Sequence, residues 1–288
     1  MKPTVGILGM GLMGRPMALN VLAAGYPLVV YNRTASRADE VVRAGARLAA
    51  SPRELAVQCE VVITMVSDPP ALEACLWGPD GVLAGLGRGR VLVDSSTVSP
   101  ALAVRAAAAC AELGASFLDA PVTGGTWGAE KGELVFMVGG EAEVLDRARP
   151  VLSTMGKRFF HLGPHGAGQS VKLAMNLILA LEVGALAEAL ALVERAGVAG
   201  EKLVDVLQAS MARAPVLDVK APLMLERRYE PSFPLRLMHK DLGLAIQLGN
   251  ELGVPLPAAA AVREVYSAVR GCGGEDLDYA GVASFWER

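Results

Sequence analysis

The pattern of apolar and polar positions changes character once along the chain. Through the first half, short apolar runs at 4–8, 28–31, 61–65, 91–94, 116–118 and 134–138 alternate with longer stretches whose apolar residues recur at helical spacing. Runs of that length read as strands buried on both faces, and strands that alternate with helices pair in parallel under two helical layers. The turns agree. Ser51-Pro52-Arg53-Glu54 forms a capping box with proline in the first helical turn, and Ser99-Pro100 opens another helix. Beyond Gly163 the strand pattern stops and helical periodicity runs to the end, with breaks near 197–200, 231–234 and 252–257. The prediction is an α/β chain: a doubly wound parallel sheet over residues 1–163 and an all-helical domain over 164–288, joined by a long helix.

That helix is the stretch 166–195, GAGQSVKLAMNLILALEVGALAEALALVER. A membrane span needs about 20 consecutive apolar residues, and Glu182 and Glu188 interrupt this one. The pattern predicts a buried helix between domains. Lys172 and Asn176 near its start are four residues apart, so both lie on one face about a turn from each other. A lysine near a helix end commonly packs its stem and sends its ammonium to water. Taken alone, Lys172 has that ordinary explanation.

The first predicted strand runs into Gly9-Met10-Gly11-Leu12-Met13-Gly14 and then an apolar helical stretch. In G-x-G-x-x-G the first glycine makes the tight turn, the second admits a pyrophosphate to the backbone, and the third lets helix pack on strand. The anion then sits at the helix N-terminus. A tight turn alone would also use glycines, but the strand, turn and helix context marks a Rossmann-type dinucleotide site. The second strand ends at Asn32-Arg33-Thr34, where an acid would bind the ribose hydroxyl of NAD, and no carboxylate occurs between Gly14 and Asp39. Arg33 is suited to pair with a 2′-phosphate, with Asn32 and Thr34 as hydrogen-bond donors. The expectation is NADP as preferred cofactor, with NAD second. Met65-Val66 and Ser95-Ser96-Thr97 fall at the carboxyl ends of later strands, where ligands bind in such sheets.

Composition narrows the partners. Across 288 residues the charges nearly cancel at net −3, which gives no basic stripe for nucleic acid and no acidic tail. Small molecules are the expected ligands, with no nucleic acid and no membrane. Cys59, Cys75, Cys110 and Cys272 are far apart, which reads as ordinary buried thiols in a reducing, cytoplasmic setting. The N-terminus shows no secretory leader pattern. His161 and His165 read as loop histidines, and no metal site is predicted.

Four segments in order, 9–18 (GMGLMGRPMA), 119–125 (DAPVTGG), 166–176 (GAGQSVKLAMN) and 240–244 (KDLGL), together resemble the β-hydroxyacid dehydrogenase family over nearly the whole chain. That family includes 3-hydroxyisobutyrate dehydrogenases, tartronate semialdehyde reductases and glyoxylate/succinic semialdehyde reductases. The resemblance implies that Lys172 is the catalytic lysine and that Asn176 assists it. It implies further that Thr123, Gly124 and Gly125 hold a substrate carboxylate, that Thr97 and Lys240 reach the cofactor, and that Phe233 and Asp241 line the active site. Two departures stand out. The family more often has serine at the position of Thr123, and the loop Val66-Ser67-Asp68-Pro69-Pro70 lacks the Leu-Pro of many valine-pathway members. With Asn32-Arg33-Thr34 and Ser232-Phe233-Pro234-Leu235, the chain looks more similar to NADPH-linked semialdehyde reductases.

The expected reaction is reversible hydride transfer between NADP(H) and a short carboxylate-bearing hydroxy acid or semialdehyde, with Lys172 as general acid or base. An NAD-dependent 3-hydroxyisobutyrate dehydrogenase is one alternative. An imine reductase on the same scaffold is a second, and lysine at 172 argues against it. A non-catalytic dinucleotide-binding module is a third, opposed by the presence of both Lys172 and Asn176. The apolar long helix also suggests a homodimer or homotetramer.

Overall fold

The computed structural model describes residues 2–287. Two compact units divide the chain, Met1–Lys172 and Leu173–Arg288, so the division falls inside the long helix Ala167–Arg195. The first unit holds nine strands among the described residues: β1 Val5–Leu8, β2 Leu28–Tyr31, β3 Arg47–Leu48, β4 Val61–Thr64, β5 Val91–Asp94, β6 Ser116–Asp119, β7 Val122–Thr123, β8 Leu134–Gly139 and β9 Gly156–Gly163. They lie in the order β3-β2-β1-β4-β5-β6-β8-β7, with β9 beside β8.

From β3 to β6 every pairing is parallel, and the register is nearly flush. Leu8 stands opposite Tyr31 and Thr64, Thr64 opposite Asp94, and Asp94 opposite Asp119. The last residues of five strands therefore line one edge, and the loops that follow them emerge together. β1, β4 and β5 are buried throughout, as their unbroken apolar runs predict. Alternate side chains feed two cores. Val5 and Ile7 pack with Met17, Ala18 and Val21 of the helix Gly14–Ala23 on one face, while Leu8 joins Leu55, Leu72 and Leu102 on the other. Ser51 caps its helix as predicted, accepting the Glu54 N–H at 3.1 Å.

The far edge departs from the all-parallel expectation. β8 runs antiparallel to β6 and β7, and β9 returns parallel to β8. β9 carries Lys157, Arg158 and His161 and is largely exposed, so no apolar run marks it in the sequence. His161 accordingly lies in a strand rather than a loop, its Nε2 2.7 Å from the Gly140 carbonyl oxygen. Cys272 also departs: it is exposed, whereas Cys59 and Cys110 are buried, with burial pushing both thiols up to about 12.

In the second unit the helices Gly200–Gln208, Pro215–Leu225, Leu235–Leu252 and Pro257–Gly271 pack with the body of the long helix around Val183, Leu186, Met224, Leu242 and the fully buried Tyr266. The long helix is long and apolar enough to cross a membrane by length and composition. Its first turn is nevertheless hydrogen-bonded to buried groups of the sheet edge, and both Lys172 and Asn176 on it are buried.

Candidate functional site

The glycine turn after β1 separates two reasons for having glycine. A Cβ on Gly9 would lie 2.1 Å from the Met65 carbonyl oxygen, and one on Gly14 would lie 1.8 Å from the Gly9 carbonyl oxygen, so the fold itself forbids side chains there. Gly11 is different. A Cβ on it would meet nothing within 4 Å, so the space beside it is open to a ligand rather than filled by protein. Leu12 and Met13 continue the loop, Leu12 exposed and Met13 half-buried, before the helix begins at Gly14. Met10 points its side chain into the core, and its N–H donates to Asn32 Oδ1 at 2.9 Å. Asn32 Nδ2 donates in turn to the Thr34 carbonyl oxygen at 2.8 Å. Asn32 thus ties the glycine turn to the end of β2, while Arg33 and Thr34 are exposed beside it.

The next strand ends are stitched together by buried polar groups. Met65 N donates to the Leu8 carbonyl oxygen, and Val66 N donates to Ser96 Oγ at 3.0 Å. Asp94 Oδ1 accepts from Thr64 Oγ1 at 2.7 Å and from Ser96 N at 3.1 Å. Burial raises the Asp94 carboxyl to about 6, opposed by the hydrogen bonds from Ser96 and Thr64, with the nearby Asp119 adding to the rise. Thr97 follows, half-buried. Asp68, two residues beyond Val66, caps the helix Pro69–Trp77 by accepting the Ala71 N–H at 2.9 Å, a structural use of a loop acid.

At the end of β6, Asp119 reaches the start of the long helix. Its Oδ1 accepts from Gly166 N at 2.8 Å and its Oδ2 from Gln169 N at 3.1 Å. Burial raises this carboxyl above its usual range, although both bonds pull the other way. Gln169 is fully buried, with Oε1 accepting from Val98 N at 3.1 Å and Nε2 donating to the Ser96 carbonyl oxygen at 2.9 Å. Lys172 is buried one turn further on. Nearby in sequence, Thr123 lies in β7, and Gly124 and Gly125 take φ values of 126° and 61°, a region that favours glycine. Both are exposed, and a Cβ on Gly125 would meet nothing within 4 Å, so this turn too presents open backbone.

The second unit assembles its own polar group. Asn176 Nδ2 donates to Asp241 Oδ2 at 2.6 Å, and Lys240 Nζ lies 2.9 Å from Asp241 Oδ1, with Asp241 buried between them. Because the carboxylate only accepts, the Asn176 amide is oriented and its Oδ1 is left as an acceptor. Phe233 is half-buried on a segment held by Asp278, whose Oδ2 accepts from Ser232 N, Ser232 Oγ and Phe233 N. Lys220, itself buried, pairs with Asp278 Oδ1 at 2.7 Å. His239 accepts from Arg270 at Nδ1 and donates to Ser267 Oγ from Nε2, and burial beside Arg263 and Arg270 lowers it to about 4. It is a neutral packing group of the helix Leu235–Leu252. Asp94, Asp119, Gln169, Lys220 and Asp278 carry no predicted role because the sequence holds no local signal for bonds that join residues 12 to 73 positions apart.

Comparison with known proteins fits this geometry. Residues 4–163 match the family model described as the NAD binding domain of 6-phosphogluconate dehydrogenase, and residues 166–286 match that of the NAD-binding of NADP-dependent 3-hydroxyisobutyrate dehydrogenase. The fold and the loop at its strand ends therefore define an oxidoreductase that uses a nicotinamide dinucleotide. The chain is 36% identical to glyoxylate/succinic semialdehyde reductase 1 of Arabidopsis thaliana, over 96% of each chain. It is 35% identical to 2-hydroxy-3-oxopropionate reductase of Escherichia coli, over 98% of this chain and 97% of that one. A solved structure of Mycobacterium tuberculosis 3-hydroxyisobutyrate dehydrogenase with L-serine superposes with a TM-score of 0.91 at 32% identity, each chain covered in full. The chain belongs to the β-hydroxyacid dehydrogenase family and is an NAD(P)-dependent oxidoreductase of the hydroxyacid/semialdehyde type.

The two kinds of glycine give an expected outcome. Gly11→Ala should unfold within about 0.5 kcal/mol of the parent, as a substitution into open space does, yet weaken binding of the nicotinamide coenzyme by roughly tenfold or more, which corresponds to about 1.4 kcal/mol. Gly14→Ala should lose stability even without coenzyme, because its methyl group would press on the Gly9 carbonyl oxygen. Thermal unfolding and coenzyme titration of the two variants separate these effects.

Proposed function

We propose that the protein is an NADP(H)-dependent reductase of short carboxylate-bearing semialdehydes, also running as the reverse dehydrogenase, with Lys172 as general acid and base. The observation that carries the reading is a buried lysine one turn along a helix whose start is bonded to the coenzyme-edge loops. The reduced nicotinamide, when bound, supplies the hydride to the carbonyl carbon. Lys172 Nζ gives a proton to the carbonyl oxygen in that direction and takes it from the hydroxyl in the other. Asn176, its amide aligned by Asp241, offers Oδ1 as an acceptor on the same helix. The Thr123 hydroxyl and the exposed turn at Gly124 and Gly125, open beside Gly125, suit a carboxylate, and Phe233 and Lys240 are assigned to substrate and coenzyme from the family resemblance. Relatives named for glyoxylate, succinic semialdehyde and 2-hydroxy-3-oxopropionate support the substrate class.

Lys172→Ala should lower kcat by roughly 10²- to 10⁴-fold, the range for loss of a positioned proton donor, while NADPH still binds. Turnover of glyoxylate, succinic semialdehyde and tartronate semialdehyde, with 3-hydroxyisobutyrate as the oxidation substrate, measures this. Undiminished kcat in that variant would remove the lysine from the chemistry.

The preference for NADP(H) rests on the exposed Arg33 and on the absence of an acid at the end of β2. Arg33→Ala should raise KM for NADPH by roughly tenfold, consistent with about 1.5–3 kcal/mol for a hydrogen bond to a charged group, and leave KM for NADH nearly unchanged. Equal loss with both coenzymes would refute the assignment.

A homodimer or homotetramer is proposed from the long helix. Ile178, Ala185 and Leu192 recur every seven residues on it and are all exposed, an apolar stripe suited to a second copy of the chain. Ile178→Glu should shift sedimentation towards the monomer; an unchanged sedimentation coefficient would place self-association elsewhere.

A further inference from the structure

The long helix does not begin with a local cap. Among its first donors, Gly166 N and Gln169 N go to Asp119, 47 and 50 residues earlier in the chain, and Ala167 N goes to the Pro164 carbonyl oxygen. A buried carboxylate thus takes the place of the side chain that usually satisfies a helix start. The fit around it leaves no slack. A Cβ on Gly139 would stand 2.5 Å from Asp119 Oδ1, and one on Gly168 would stand 2.4 Å from the Met137 carbonyl oxygen. Backbone therefore closes on the carboxylate from both the helix and β8.

Gln169 adds what two N–H bonds lack, a constraint on rotation about the helix axis. Its planar amide is bound at both ends, to the carbonyl oxygen of Ser96 and the N–H of Val98. Those residues flank Thr97. Ser96 is itself held by Asp94 through its N–H and holds Val66 through its hydroxyl. A turn of the helix by one residue, about 100°, would break both amide bonds and carry Lys172, three residues on, away from its present direction.

We propose that Gln169, seated by Asp119, is a positioning residue that fixes the direction of the Lys172 side chain relative to the loop carrying Thr97. The proposal rests on the reading of Lys172 as general acid and base. Gln169 itself touches no reacting atom. Its two amide bonds hold the first turn of the helix in register with the strand-end loops, and the proton donor inherits that register. Displacement of a reacting group by about 1 Å is enough to cost on the order of 10²-fold in rate, and the loss of both amide bonds permits a shift of that size.

The test is a double-mutant cycle on the full-length protein, read by single-turnover hydride transfer from saturating NADPH to succinic semialdehyde or glyoxylate. Gln169→Met keeps the side-chain length and removes both hydrogen bonds. It is expected to slow transfer by roughly 10- to 100-fold when Lys172 is present, and to add no more than about twofold to the loss in Lys172→Ala, since a group that acts through the lysine has nothing left to position. An equal loss in both backgrounds, or no loss beside Lys172, would overturn the proposal. Should Gln169→Met fold poorly, Asp119→Asn keeps one acceptor oxygen for the helix start, and the same dependence on Lys172 is expected of it at smaller size; equal loss with and without the lysine overturns the proposal there too. The control is separate. If Lys172→Ala alone keeps full rate, the lysine reading fails and the positioning role falls with it, whereas a slow Lys172→Ala with a fast Gln169→Met sinks only the positioning role.

Discussion

The carboxylate of Asp119 is the constraint on which the arrangement of the first unit depends. It ends β6, stands in register with Asp94, and accepts two backbone N–H groups from the start of the long helix. An anion at a helix N-terminus is favoured by the peptide dipoles, and hydrogen bonds to a charged group contribute about 1.5–3 kcal/mol each. Burial nonetheless raises this carboxyl, so desolvation outweighs the two bonds. A buried acid retained at that cost adds less to stability than to definition: it leaves the helix a single place to begin. The neighbouring Asp94, pushed up to about 6, does the same for the loop after β5 by holding Ser96 N and Thr64 Oγ1.

The second unit repeats the device. Asp241 joins Asn176 on one helix to Lys240 on another, and Asp278 gathers Ser232 and Phe233 while its charge is matched by Lys220. In both cases one acceptor-only group receives donors from separate elements, so the orientation of each donor is decided by the carboxylate. The buried Lys220–Asp278 pair is matched at close range, and the remaining lone pairs of Asp278 are taken by backbone and hydroxyl donors, which is the condition under which a buried ion pair is tolerable.

What the chain discloses before folding follows from the range of the forces involved. The buried parallel strands, the glycine turn and the caps at Ser51 and Ser99 are local events, readable from spacing and residue type. The antiparallel β8 was legible as a strand but not in direction, because direction is set by its partners. β9 was invisible: an exposed edge strand with Lys157 and Arg158 needs no apolar run. Lys172 and Asn176 are legible as polar intrusions in an apolar helix, whereas Gln169, equally buried, carries no such mark, because a glutamine near a helix start is ordinary. Its importance lies in bonds to Ser96 and Val98 that no window of sequence contains.

Asn32 shows how one side chain ties two strand ends together. Its Oδ1 takes the Met10 N–H and its Nδ2 gives a hydrogen to the Thr34 carbonyl oxygen, so the amide bridges the glycine turn and the end of β2. An aspartate there would still accept from Met10 but would face the Thr34 oxygen without a proton to share, and would add negative charge beside Arg33. The amide keeps the tie and leaves the charge out. With Arg33 exposed beside it, the end of β2 carries net positive charge, which is the feature the proposed preference for NADP(H) rests on.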